Sequence, residues 1–190
     1  MSNDKQPKIK FSKAFWVANT VELFERAAYY GVFIVITLYL RRILGFNDIQ
    51  AASIAGIFSA CLYLLPTFAG ALADKIGFRN SMLIAFALLT MGYAGLAVFP
   101  TWLESAGLVS YSATTTFTGL LESNLQYGIL PIMALIVCGG AFIKSVISGT
   151  VAKETTPETR AKGFSIFYAM VNIGAFSGKT IVKPLREALG

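Results

Sequence analysis

Five apolar segments, each long enough to cross a bilayer, decide what this chain can fold into. They run over residues 15–40, 49–73, 81–99, 127–151 and 163–182. Hydrocarbon holds no water to satisfy backbone N–H and C=O groups, so such a segment closes its own hydrogen bonds as a helix. Composition agrees, since 55% of residues are apolar and only 14% are charged, a balance that soluble domains rarely reach. The expectation is an all-α membrane protein with five transmembrane helices, a basic tail over 1–13 and a helical bundle over 14–190. The first segment is too long, and carries too much charge inside it, for the short core of a cleaved signal sequence.

Lys and Arg set the expected orientation. Lys5, Lys8, Lys10 and Lys13 precede the first segment, Lys75 and Arg79 follow the second, and Lys153, Arg160 and Lys162 follow the fourth. With alternating segments these share one side. The other side has Arg41 and Arg42 before the fifth helix, and the connection over 100–126 has no basic residue. The positive-inside rule then makes the amino terminus cytoplasmic and the lipid bilayer the first partner. That connection, with its SYSATTTFTG run, reads as a solvated extracytoplasmic loop, flexible or with a short amphipathic helix.

Three charges interrupt the first segment in TVELFERAAYYGVF, residues 20–33. At 100° per residue Glu22, Glu25, Arg26, Tyr29 and Tyr30 fall on one face of about 140°. They lie too deep to reach the interface easily, and charges at that depth cost several kcal/mol, so the face turns toward protein or water. Two readings stand: an ion cluster that fixes helix packing, or a proton or ion relay beside a cavity. The fourth segment adds Lys144 within CGGAFIKSVISG, where Gly139 and Gly140 permit close helix approach. A lysine at that depth also wants a negative partner, and Glu22 or Glu25 would supply one.

Several classes drop out. The chain has no histidine, and Cys61 and Cys138 lie inside apolar runs as expected core hydrophobes, so neither a metal site nor a cofactor is expected. The net charge of +6 is spread between apolar segments without a basic, aromatic-interleaved patch, which disfavours nucleic acid. SGKT at 177–180 lacks the earlier glycine of a phosphate-binding loop, and no nucleophile–base pair points to an enzyme.

Between the second and third segments, GALADKIGFRN matches the signature loop of the major facilitator superfamily at Gly70, Leu72, Asp74, Gly77 and Arg79. Glu22-Leu-Phe-Glu25-Arg26 with Tyr29-Tyr30-Gly31 resembles the first-helix signature of the proton-dependent oligopeptide transporters. Tyr63, Lys144 and the run GFSIFYAMVNIGAF at 163–176, with Asn172 and Gly174, stand at that family's second-, fourth- and fifth-helix positions. Ala27 occupies the place of its usual aromatic, and Ser145 that of its usual proline.

The resemblance implies part of an amino-terminal six-helix bundle from a transporter of the plasma or inner membrane. It implies proton coupling by Glu22 and Glu25 with Arg26 and Lys144 as partners. A peptide site would be lined by Arg26, Tyr29, Tyr30, Tyr63, Lys144 and Asn172, and a conformational clamp built from Gly70, Asp74, Gly77 and Arg79. The implied partners are protons, di- or tripeptides and a missing carboxy-terminal bundle, the chain reading as an amino-terminal fragment. Transport of another solute such as nitrate or amino acids, and a non-transporting membrane assembly module, remain as alternatives. Lys179 has no assigned counterpart.

Overall fold

The computed structural model describes residues 10–111, 117–118 and 124–189. Lys5 and Lys8 of the basic tail, and residues 112–116 and 119–123 of the long connection, lie outside the described residues. Five long helices account for most of the rest: α1 (Lys13–Arg42), α2 (Asp48–Ile76), α3 (Phe78–Ser105), α4 (Ile129–Lys153) and α5 (Arg160–Leu189). α1, α2, α3 and α5 outrun their apolar segments, because a segment marks hydrocarbon thickness while the helix continues past it; α4 matches its segment in length, shifted two residues on.

Local chemistry sets the helix ends. Ser12 caps α1 by accepting from the Phe15 N–H at 3.1 Å. Asn47 and Gln50 form a reciprocal capping box at the start of α2, with bonds of 2.8 and 3.1 Å. One residue, Gly77, both ends α2 and begins α3. Its φ of 88° lies where side chains are disfavoured, so glycine is what lets the chain reverse so tightly.

The connection after α3 differs from the expected solvated loop. α3 continues through Pro100 to Ser105, Ser110–Tyr111 pairs antiparallel with Phe117–Thr118, and a 3-10 turn over Asn124–Gly128 leads into α4. Proline at 100 has no N–H for the Leu96 carbonyl one turn back. The Tyr39 hydroxyl on α1 donates to that carbonyl instead, at 2.8 Å. A neighbouring helix thus satisfies the group that proline frees, which is how a proline persists inside a membrane helix.

α4 is the central element, packing against α1, α2 and α3, while α5 packs chiefly along α1. Buried Ile129, Ile136, Ile143 and Ile147 of α4 form the middle of the core with Phe58, Leu62, Ala85 and Leu89. Val17, Phe24, Ile57, Leu64, Phe68, Leu83 and Phe176 face outward, a distribution suited to lipid. Cys61 is half-buried, but Cys138 is exposed on the outer side of α4 and not in the core.

The expected number of spans needs correction. Among the described residues four helices are long and apolar enough to cross a membrane: α1, α2, α3 and the stretch Asn124–Lys153. α5 is equally long, but Asn172, Lys179 and several Ser and Gly residues dilute its apolar character. It lies in the bundle by seating Gly174 and Gly178 on α1, where an added Cβ would strike the Leu23 and Ala27 carbonyls.

Tyr39→Phe, by leaving the Leu96 carbonyl unpaired, is expected to cost about 1–2 kcal/mol of unfolding free energy in detergent. Pro100→Ala restores the helical N–H, so the same change on that background costs less than about 0.5 kcal/mol. An equal cost in both backgrounds would refute this account of the hydrogen bond.

Candidate functional site

The polar face of α1 turns inward. Glu22, Glu25, Arg26 and Tyr29 are all buried, and Tyr30 is half-buried at its edge. Arg26 ties the cluster together: its Nε and Nη2 both lie 2.5 Å from Glu25 Oε2, and Nε also lies 3.3 Å from Glu22 Oε1. Its guanidinium carbon stands 5.1 Å from the centre of the Tyr29 ring, which stacks on Phe33 and on Phe58 of α2. Aromatic packing therefore holds the plane of the guanidinium while the two carboxylates hold its donors.

Glycines clear the space. A Cβ on Gly140 would stand 2.9 Å from Leu62 and 3.7 Å from Glu25 Oε1, so α4 approaches the triad because this residue has no side chain. Gly139 does the same toward α3, where an added Cβ would stand 2.9 Å from the Ala85 carbonyl. On the opposite side a Cβ on Gly174 would strike the backbone of Leu23 and stand 2.9 Å from Arg26 Cβ.

Lys144 takes a different position from the expected pairing with Glu22 or Glu25. It is half-buried and forms no ion pair among the described residues, its Nζ resting 4.4 Å from the centre of the Tyr63 ring. Next to it Ser145 Oγ donates to the Pro66 carbonyl of α2 at 2.5 Å and lies 3.6 Å from where a Gly70 Cβ would be. The serine that replaces the family's proline thus fastens α4 to α2 beside the lysine. Tyr63 and Asn172 are exposed, on α2 and α5.

At the α2–α3 turn Asp74 and Arg79 are exposed, and no ion pair joins them among the described residues. Packing holds the turn to α4: a Gly149 Cβ would lie 2.9 Å from the Phe78 ring, and Lys153 Nζ stands 3.9 Å from its centre.

Sequence reasoning missed Asn19, Gly178 and Phe78 and gave Lys179 no role. Asn19 is fully buried one turn before Glu22; it donates to the Phe15 carbonyl at 2.8 Å, but its Oδ1 has no partner, and neither does Glu22 Oε2. Its place at i−3 from Glu22 was a readable signal. So was the Gly174/Gly178 spacing, which seats on Leu23 and Ala27. Lys179 over Tyr30 and Phe78 against α4 depend on helix rotation, which spacing does not reveal.

Four span-length apolar helices around a buried Glu–Arg–Glu triad define a multi-pass membrane protein with an ion network inside its bundle. Curated relatives carry the match further. The chain is 30% identical over 177 residues to dipeptide and tripeptide permease A of Salmonella typhi, covering 90% of this chain and 29% of the permease. It is 29% identical over 176 residues to dipeptide and tripeptide permease A of Escherichia coli, and 27% identical over 187 residues to that of Yersinia pestis. These cover 90% and 92% of this chain, and 29% and 32% of the permeases. The chain is thus a homologue of the amino-terminal part of peptide permeases of the proton-dependent oligopeptide transporter family, and spans about a third of their length. No family model matches it.

The two carboxylates are unequal. Glu25 has both short contacts to Arg26, while Glu22 has one longer contact and an unpartnered oxygen. Glu25→Gln is expected to lower unfolding free energy by about 2–3 kcal/mol and Glu22→Gln by about 1 kcal/mol. Unfolding in mixed micelles checks the order, which a larger loss for Glu22→Gln would reverse.

Proposed function

We propose that the protein is a proton-coupled secondary transporter that imports di- and tripeptides by alternating access. This chain would supply the amino-terminal part of the transport unit, and a carboxy-terminal bundle the other wall of the cavity. The permease relatives support the substrate class. The observation that carries the coupling is Arg26 held by two carboxylates inside the bundle while Lys144 stands nearby without one.

A proton reaching Glu22 or Glu25 neutralises one of Arg26's two partners. The guanidinium, left with a weaker hold, is then available to a ligand carboxylate together with Lys144. Deprotonation re-forms the triad and displaces the ligand, so proton and peptide movement are linked through one cation. Tyr29, Tyr30, Tyr63 and Asn172 are the proposed lining of the peptide site. Gly70, Asp74, Gly77 and Arg79 are the proposed cytoplasmic clamp, Asp74 and Arg79 being unpaired with each other here and so free to meet partners in another conformation. The amino terminus is assigned to the cytoplasm by the distribution of Lys and Arg; labelling of a cysteine at Asp74 by an impermeant reagent outside intact cells would reverse this.

In proteoliposomes with the full-length protein, Glu22→Gln or Glu25→Gln is expected to abolish uptake of dialanine driven by a pH gradient while counterflow at equal pH persists. Arg26→Ala is expected to impair both, because it leaves two buried carboxylates unpartnered. Accumulation by both glutamine variants with unchanged pH dependence would make the triad purely structural.

A further inference from the structure

Lys179 belongs to none of the motifs, yet it faces the same site. Gly178 beside it abuts the backbone of Ala27, the midpoint of α1, so this lysine sits near mid-span and well inside its helix ends. Its Nζ lies 4.8 Å from the centre of the Tyr30 ring. Lys144 of α4 covers the Tyr63 ring in the same way, its Nζ 4.4 Å from that ring's centre. Two lysine–tyrosine pairs thus join neighbouring helices: Lys179 of α5 over Tyr30 of α1, and Lys144 of α4 over Tyr63 of α2.

Charge does not balance in this region. Arg26 is taken up by Glu22 and Glu25, whereas neither Lys144 nor Lys179 forms an ion pair among the described residues. Three cations thus face two carboxylates. Lack of a partner is not general along α5, since Lys183 one turn on has Glu187 at 3.9 Å. An ammonium over a tyrosine face keeps part of its electrostatic stabilisation while its N–H donors stay open to an anion. Lys179 and Tyr63 are both exposed, so a ligand reaches these pairs without displacing the core.

We propose that Lys179 is a further, specificity-determining anchor from α5 for the ligand carboxylate, at the Tyr30 edge of the site proposed above. This deepens, and rests on, the peptide-transport reading: the anion is the ligand's terminal carboxylate, which one surplus positive charge matches. A lysine that merely packs on Tyr30 would not discriminate between a carboxylate and its amide.

The test uses the purified full-length protein and equilibrium binding of dialanine and of dialanine amide. The wild type is expected to bind dialanine at least about tenfold more tightly than the amide. Lys179→Ala should weaken dialanine about fivefold or more while amide affinity stays within about twofold, and Lys179→Arg should retain most of the preference. Lys179→Gln, which keeps the stem, should behave like the alanine variant; binding restored by glutamine would assign Lys179 a packing role and overturn the proposal. So would an unchanged preference in Lys179→Ala. If the wild type binds neither peptide, the peptide reading fails by itself and acetate becomes the probe. A saturable acetate response lost in Lys179→Ala then sustains the carboxylate subsite, and equal or absent responses overturn it.

Discussion

One guanidinium shared by two carboxylates in the middle of the bundle is the constraint around which the rest is arranged. Glu22, Glu25 and Arg26 are each less than a tenth exposed, and moving such groups out of water costs several kcal/mol apiece unless each finds its counter-charge. Their spacing of three and four residues along α1 supplies the pairing from a single helix. The neighbours must then leave room, and they do so by lacking side chains: Gly140 on α4 beside Glu25, Gly174 on α5 beside Arg26. Close helix approach and ion pairing are thus one design, since a side chain at either glycine would push a helix away and admit lipid or water to the charges.

The same arrangement separates two kinds of cation. Arg26 has a planar fork that serves two carboxylates at once, whereas a lysine is a point charge on a flexible stem. Lys144 and Lys179 reach tyrosine faces at the margin of the cluster and remain open to a further anion. The buried glutamates hold Arg26 and leave both lysines without an ion pair among the described residues, the imbalance on which the proposed anionic ligand rests. Ser145, bonded to the Pro66 carbonyl, keeps the α4 backbone next to Lys144 tied to α2 while the lysine's own terminus stays unpaired.

Helical periodicity made the inner face of α1 legible before any coordinates, because Glu22, Glu25, Arg26 and Tyr29 repeat at the helical period and only a buried face can hold them together. The paired glycines of α4 were legible for the same reason. α5 read less well: hydropathy treats each helix as surrounded by lipid, but this one places glycines on α1 and leaves Asn172 and Lys179 exposed. The partner of Lys144 was anticipated by charge alone, and the structure replaces a carboxylate with the Tyr63 ring, because reach and rotation decide which group a long side chain meets. The α2–α3 turn carries its motif plainly, yet Phe78 against Gly149 and Lys153 is a packing relation between distant segments that no local pattern encodes.

The claim that the triad acts as one unit is tested most directly by double-mutant cycles on unfolding free energy in mixed micelles, pairing Arg26→Met with Glu25→Gln and with Glu22→Gln. The account predicts a coupling of about 2 kcal/mol or more between Arg26 and Glu25, and a smaller but measurable one between Arg26 and Glu22. Additive losses in both cycles, with coupling below about 0.5 kcal/mol, would contradict it.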